Sequence, residues 1–147
     1  MIVLDTDIVF ELMRPEPMPE VMAWFAGLGP VPLALATVTV GEVREAVGAM
    51  RDEGRRGELE AAFDALLEER FPDRVLPFDG AAAIAYGRIM AARREMGVGS
   101  APLSVMAAAT ALAHGAALAT GQPGEVEGAE GLTVHDPFGE AGGQGDG

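Results

Sequence analysis

The sequence has no cysteine, no lysine and only two histidines. Without cysteine there is no disulfide, no thiolate zinc site and no cysteine nucleophile. Two histidines cannot build a histidine-rich metal centre. The ten basic residues are all arginines and stand against 23 Asp and Glu, for a net charge of −13. That balance excludes a histone-like or basic-tailed nucleic-acid binder, whose affinity comes from neutralising phosphates. It leaves open an enzyme that meets nucleic acid through an acid-bound metal. No apolar run reaches roughly 18 residues, so no membrane span is expected. The opening MIVLDTDIVFELM carries acids after four residues and does not read as a signal peptide. A cytoplasmic protein is the expectation.

What is present is apolar. Hydrophobic residues make up 49% of 147 residues and the mean hydropathy is +0.20, the composition of one packed domain. Met1 to Leu4 is too short for a buried helix and reads as a strand. Ile8 to Met13 reads as a short helix, broken by Pro15, Pro17 and Pro19. Val21, Trp24, Phe25 and Leu28 have helical spacing. Leu33 to Ala36 is a second strand, after which Thr37 or Thr39 is expected to cap a helix through Glu42, Val43, Val47 and Met50. Gly54–Gly57 reads as a turn before a helix bearing Leu59, Phe63, Leu66 and Leu67. Arg74 to Pro77 is a third strand. Asp79 is expected to cap a helix running to Gly97, with Arg93 and Arg94 complementing its dipole. Pro102 starts an Ala-rich helix to His114. Ala117 to Thr120 and Leu132 to His135 are the last strands. Trp24, Phe25, Phe63 and Phe71 read as packing residues. Residues 1–138 form the expected domain, and the Gly-rich 139–147 a disordered tail.

Short strands alternating with helices predict an α/β fold with a parallel sheet covered on both faces. In such a sheet the site lies beyond the carboxyl ends of the strands. Asp5 follows the first strand, with Thr6 and Asp7 after it. Glu42 lies early in the helix after the second strand. Ser104 lies at the start of the Ala-rich helix, and Gln122 just past the fourth strand. Paired carboxylates at that edge suit Mg²⁺, a hard cation that prefers oxygen ligands and keeps several waters. The same positions also suit bland roles. Asp5 can serve as an N-cap, and Glu42 can complement a helix dipole.

The segments IVLDTDIVFELMRPEP, TVTVGEVREAV, LPFD and GAALATG, in this order and spacing, resemble a PIN domain of the VapC/FitB toxin–antitoxin type. The resemblance runs from Met1 to about Phe138. It implies a three-layer fold around about five parallel strands and a Mg²⁺ or Mn²⁺ cofactor. It further implies cleavage of RNA phosphodiesters by metal-activated water, and a homodimer neutralised by a small antitoxin. The family's first two acids fall on Asp5 and Glu42. Its third acid falls on Ser104, and no Asp or Glu occurs between Glu95 and Glu125. Its fourth falls on Gln122. A site with two carboxylates holds a divalent ion more weakly than one with three or four. Asp7 and Glu125, or Glu127, are the acids that can compensate. Two functions follow: a metal-dependent endoribonuclease with an altered site, or a catalytically weak or inactive PIN scaffold that binds an antitoxin-like partner or RNA. An unrelated small-molecule-binding α/β protein ranks behind both.

Overall fold

A computed structural model describes residues 1–139. The strands are β1 (Ile2–Leu4), β2 (Leu33–Ala36), β3 (Val75–Leu76), β4 (Ala117–Ala119) and β5 (Val134–His135). The helices are α1 (Thr6–Met13), α2 (Pro19–Gly27), α3 (Thr37–Gly48), α4 (Glu53–Arg70), α5 (Gly80–Met96) and α6 (Pro102–Ala113). A short 3₁₀ turn spans Pro123–Val126. The sheet order is β3-β2-β1-β4-β5, and every neighbouring pair is parallel. The fold is α/β, as expected. The expected tail, from Glu140 on, lies outside the described residues.

Alternation along each strand divides the core in two, because successive side chains point to opposite faces. Val3, Ala34, Ala36 and Leu118 pack on one face with Ile89 of α5 and Val105, Ala108 and Ala111 of α6. Ile2, Leu4 and Leu35 pack on the other with Ile8, Val9, Trp24, Val43, Val47, Phe63 and Phe71. Neither face is left open, which is why such short strands carry almost no polar side chains.

Two local expectations are corrected. Gly54 and Gly57 lie inside α4, whose start is set by Asp52 accepting from Arg55 N at 3.1 Å. Each glycine costs that helix about 1 kcal/mol against alanine, and burial of Phe63 and Phe71 on the core outweighs it. Neither Thr37 nor Thr39 caps α3. The cap position is Ala36, and Thr37 Oγ1 instead accepts from Phe78 N at 3.3 Å. Arg93 and Arg94 do lie in the last turn of α5, as expected, with Arg93 buried there at 3% exposed. Asp79 does cap α5, accepting from Ala82 N at 3.0 Å.

The sheet order reverses beside β1. The chain winds outward through β2 and β3, then returns to β4 on the other flank of β1. Connections after β1 and β4 therefore diverge to opposite sides and leave a crevice at their carboxyl ends.

Candidate active site

Asp5 is the first residue beyond β1. Its backbone N donates to Ala119 O at 2.9 Å, extending the β1–β4 ladder by one bond. This places its carboxylate between β1 and β4, 6% exposed. Asp5 also caps α1, and Oδ1 accepts from Thr6 N at 2.9 Å. Oδ2 accepts from the buried Thr120 hydroxyl at 3.0 Å. Thr120 Oγ1 in turn accepts from Gln122 N at 3.1 Å.

Glu42 reaches the same edge from α3, where Thr6 Oγ1 donates to its Oε1 at 3.0 Å. On the opposite side stands Glu125. Ser104 Oγ donates to its Oε2 across a short contact. Gln122, with its amide nitrogen turned towards Glu125, donates to Oε1 at 2.6 Å and Oε2 at 3.2 Å. An unbroken string of bonds thus runs from Glu42 through Thr6, Asp5, Thr120, Gln122 and Glu125 to Ser104. The structure brings together every residue expected at this edge. Ser104 and Gln122, which replace expected acids, both donate to a carboxylate supplied by the loop.

Asp7 differs from Glu125. Its Oδ1 accepts from Ile8 N at 2.9 Å and its Oδ2 from Gly121 N at 2.8 Å. Both oxygens serve backbone, so Asp7 ties the start of α1 to the segment after β4. This junction explains Gly121. A Cβ there would stand 2.6 Å from Asp7 Oδ2 and 2.6 Å from the Phe138 ring. Gly121→Ala is expected to lower the unfolding free energy by about 1–3 kcal/mol, the usual cost of overpacking. Urea denaturation measures it; unchanged stability would show that Phe138 yields freely.

The carboxylates raise one another's proton affinity. The Asp5 carboxyl is pushed up to about 6, first by burial and then by the charges of Asp7 and Glu42, against the bonds from Thr6 and Thr120. Asp7 and Glu42 are also raised, each chiefly by burial; Asp136 adds to the first and Glu125 to the second. The ion pairs Arg14–Glu11 and Arg44–Asp64 involve none of these groups. A crowd of desolvated carboxylates without an arginine among its partners is the environment a hard cation would relieve. Among the described residues, no group of three or more His, Cys, Asp or Glu is placed to hold a metal ion together. The donors that do meet at this edge are carboxylate oxygens, the chemistry that a hard cation keeping several waters prefers.

A PIN-domain family model matches residues 2–122. The chain belongs to the PIN-domain family. It is similar to the plasmid stability protein StbB of Pseudomonas syringae pv. tomato, at 35% identity over 138 residues, 94% of this chain and 99% of that one. It is also 35% identical to the VapC ribonuclease Y4jK of Sinorhizobium fredii, covering 94% of this chain and 98% of that one. A crystal structure of FitAcB from Neisseria gonorrhoeae superimposes with a TM-score of 0.84 at 30% identity, covering 95% and 99% of the two chains. The PIN domain here is thus of the toxin–antitoxin type.

Sequence reasoning missed one residue bonded to the carboxylates of this edge, Thr120. Thr120 has a weak signal, being the first polar residue after the apolar run of β4.

Proposed function

We propose that this PIN domain is a Mg²⁺- or Mn²⁺-dependent endoribonuclease of the toxin type, in which Asp5, Glu42 and Glu125 supply the charge for the metal. The observation that carries the reading is Glu125, a loop carboxylate held by Ser104 and Gln122 opposite Asp5 and Glu42. A divalent cation, when bound, supplies Lewis-acid charge to a scissile phosphate and lowers the pKa of water beside it. The protein's own part is positional. Thr6 fixes one oxygen of Asp5 and one of Glu42, and Thr120 fixes the other Asp5 oxygen. These bonds leave carboxylate lone pairs for hydrated metal, since each oxygen can accept more than one bond.

The net charge of −13 opposes general attraction to RNA. Binding then depends on the metal and on local arginines, and should show little of the steep salt dependence of basic proteins. A small antitoxin is the proposed partner. Its surface is the groove between α1, α3 and α4, about 730 Å³, lined by Phe10, Met13, Met50 and Leu59 and opening beside Asp7. An antitoxin arginine entering from there would meet the acidic edge. A second copy of the chain is proposed to cover Ile84 and Leu103, apolar and exposed on α5 and α6. No helix among the described residues is long and apolar enough to cross a membrane, and the proposed setting is the cytoplasm.

Cleavage of a panel of labelled RNAs tests the reading. Products are expected with Mg²⁺ or Mn²⁺, none with EDTA, and at least 100-fold less with Glu42→Gln, the scale of losing one electrostatic group from a hydrolytic site. A nuclease-free preparation that cleaves nothing under any of these conditions would overturn it.

A further inference from the structure

Arg93 sits in the last turn of α5, 3% exposed, with no carboxylate in its bonds. Nε and Nη2 donate to Gly99 O at 2.9 and 2.5 Å. Nη1 donates to Gly124 O at 3.1 Å and Glu127 O at 3.0 Å. One side chain therefore fastens two loops to α5. A buried charge satisfied only by carbonyl dipoles is costly to fold, and a well-packed apolar residue is often no less stable in such a place. What the arginine adds is geometry, since its planar fork fixes acceptors in several directions at once.

Both loops lead into the site. Gly99 precedes Ala101, which holds φ 44°, ψ 55°, a left-handed conformation strained for alanine, directly before Pro102 and Ser104. Such a conformation persists only where its surroundings over-determine it, and the two bonds to Gly99 anchor the chain two residues before it. Gly124 and Glu127 bracket Glu125. Gly128 also packs here, and a Cβ added to it would stand 3.3 Å from Arg93 Cγ. The two sides of the Ser104–Glu125 bond are thus both hung from one guanidinium.

We infer that Arg93 is a positioning residue for the metal edge: it holds the 99–104 and 124–127 loops so that Ser104 and Glu125 meet. This rests on the reading of Glu125 as a metal-site carboxylate. It acts without touching substrate or metal, through carbonyls alone. A lysine would keep the charge but donate from a single atom and could not hold both loops.

Two readouts on Arg93→Lys test it, with Arg93→Gln as a second variant that keeps an NH₂ donor without the charge. The first is amide hydrogen exchange. Protection is expected to fall at least tenfold in residues 121–128 and 99–104 and to stay native in α1 and α3. The second is Mn²⁺ affinity from electron paramagnetic resonance. A loss of about tenfold is expected in the native background, with no further loss when Glu125→Gln is already present. Unchanged exchange overturns the inference. So does an equal affinity loss in both backgrounds, or loss of protection throughout the molecule, either of which would mark a general support of the fold. Native Mn²⁺ affinity in Glu125→Gln alone overturns the reading of Glu125, and the inference with it. Native affinity in the Arg93 variants beside a weakened Glu125→Gln overturns the inference alone.

Discussion

Asp5→Asn is expected to abolish metal-dependent cleavage and, at pH 7, to make the metal-free protein more stable. The two effects have one cause. The Asp5 carboxyl titrates near 6 in the folded chain against an ordinary value of 3.8. A group whose affinity for protons rises on folding stabilises the fold when protonated. That contribution is complete below about pH 4 and is lost as pH rises through 6. At pH 7 the ionised Asp5 therefore costs about 3 kcal/mol. Asparagine removes the charge. Its oxygen can still accept from Thr6 N, and its amide can donate to Thr120 Oγ1. The Thr120 hydroxyl then loses its acceptor, which costs about 1 kcal/mol. The expected net gain is about 2 kcal/mol at pH 7, changing to a loss of about 1 kcal/mol near pH 4. Urea denaturation in EDTA at the two pH values reads it. Equal differences at both would show that Asp5 carries no folding penalty and that the site is not strained by charge. Instability accepted at a carboxylate proposed for catalysis is the usual trade between stability and function.

The second large effect concerns Ser104 and Glu125 as a pair. If Glu125 takes the place of an acid at position 104, the two positions are alternatives. Glu125→Gln is expected to lower Mn²⁺ affinity about tenfold, the effect of roughly 1.4 kcal/mol. Adding Ser104→Asp should restore it, because a carboxylate then reaches the same edge from α6. Ser104→Asp alone should behave differently. It replaces a hydroxyl donor to Glu125 with a like charge, and without metal it should destabilise the fold by about 1 kcal/mol. Saturating Mn²⁺ should remove most of that penalty, since a ligand that binds only the folded state stabilises it by mass action. Calorimetric titration and denaturation with and without Mn²⁺ measure the set. Additive effects of the two substitutions would show that Glu125 and residue 104 serve different ends.

The layered fold was legible because the apolar runs are either four residues long or helically spaced, and proline and glycine separate them. The meeting of Asp5 and Glu42 at one edge was legible from the resemblance, since position after a strand suits an N-cap or a helix-dipole role equally well. The choice among compensating acids was not. Asp7 and Glu125 are both acids near the edge in sequence terms. Only the fold shows that Asp7 ties two backbone segments together through Ile8 N and Gly121 N, while Glu125 is held by the side chains of Ser104 and Gln122. Thr120 lies 115 residues from Asp5 and is joined to it by the β1–β4 pairing, which no local spacing encodes. Gly54 and Gly57 misled because propensity is a weak prior, and a capped helix with a buried aromatic residue overrides it.

The acidic edge as a divalent-cation site is tested most directly by calorimetric titration of the native protein with Mg²⁺ at pH 6 and pH 8. Repeating it in buffers of different ionisation enthalpy counts the protons released. With Asp5 near 6, about half a proton should leave that carboxyl on binding at pH 6 and almost none at pH 8, where binding should also be tighter. The raised Glu42 and Asp7 can only add to the release at pH 6. Saturable binding coupled to proton release at the lower pH is the predicted result. Absence of binding at both values, or binding with no proton released at pH 6, would contradict the account.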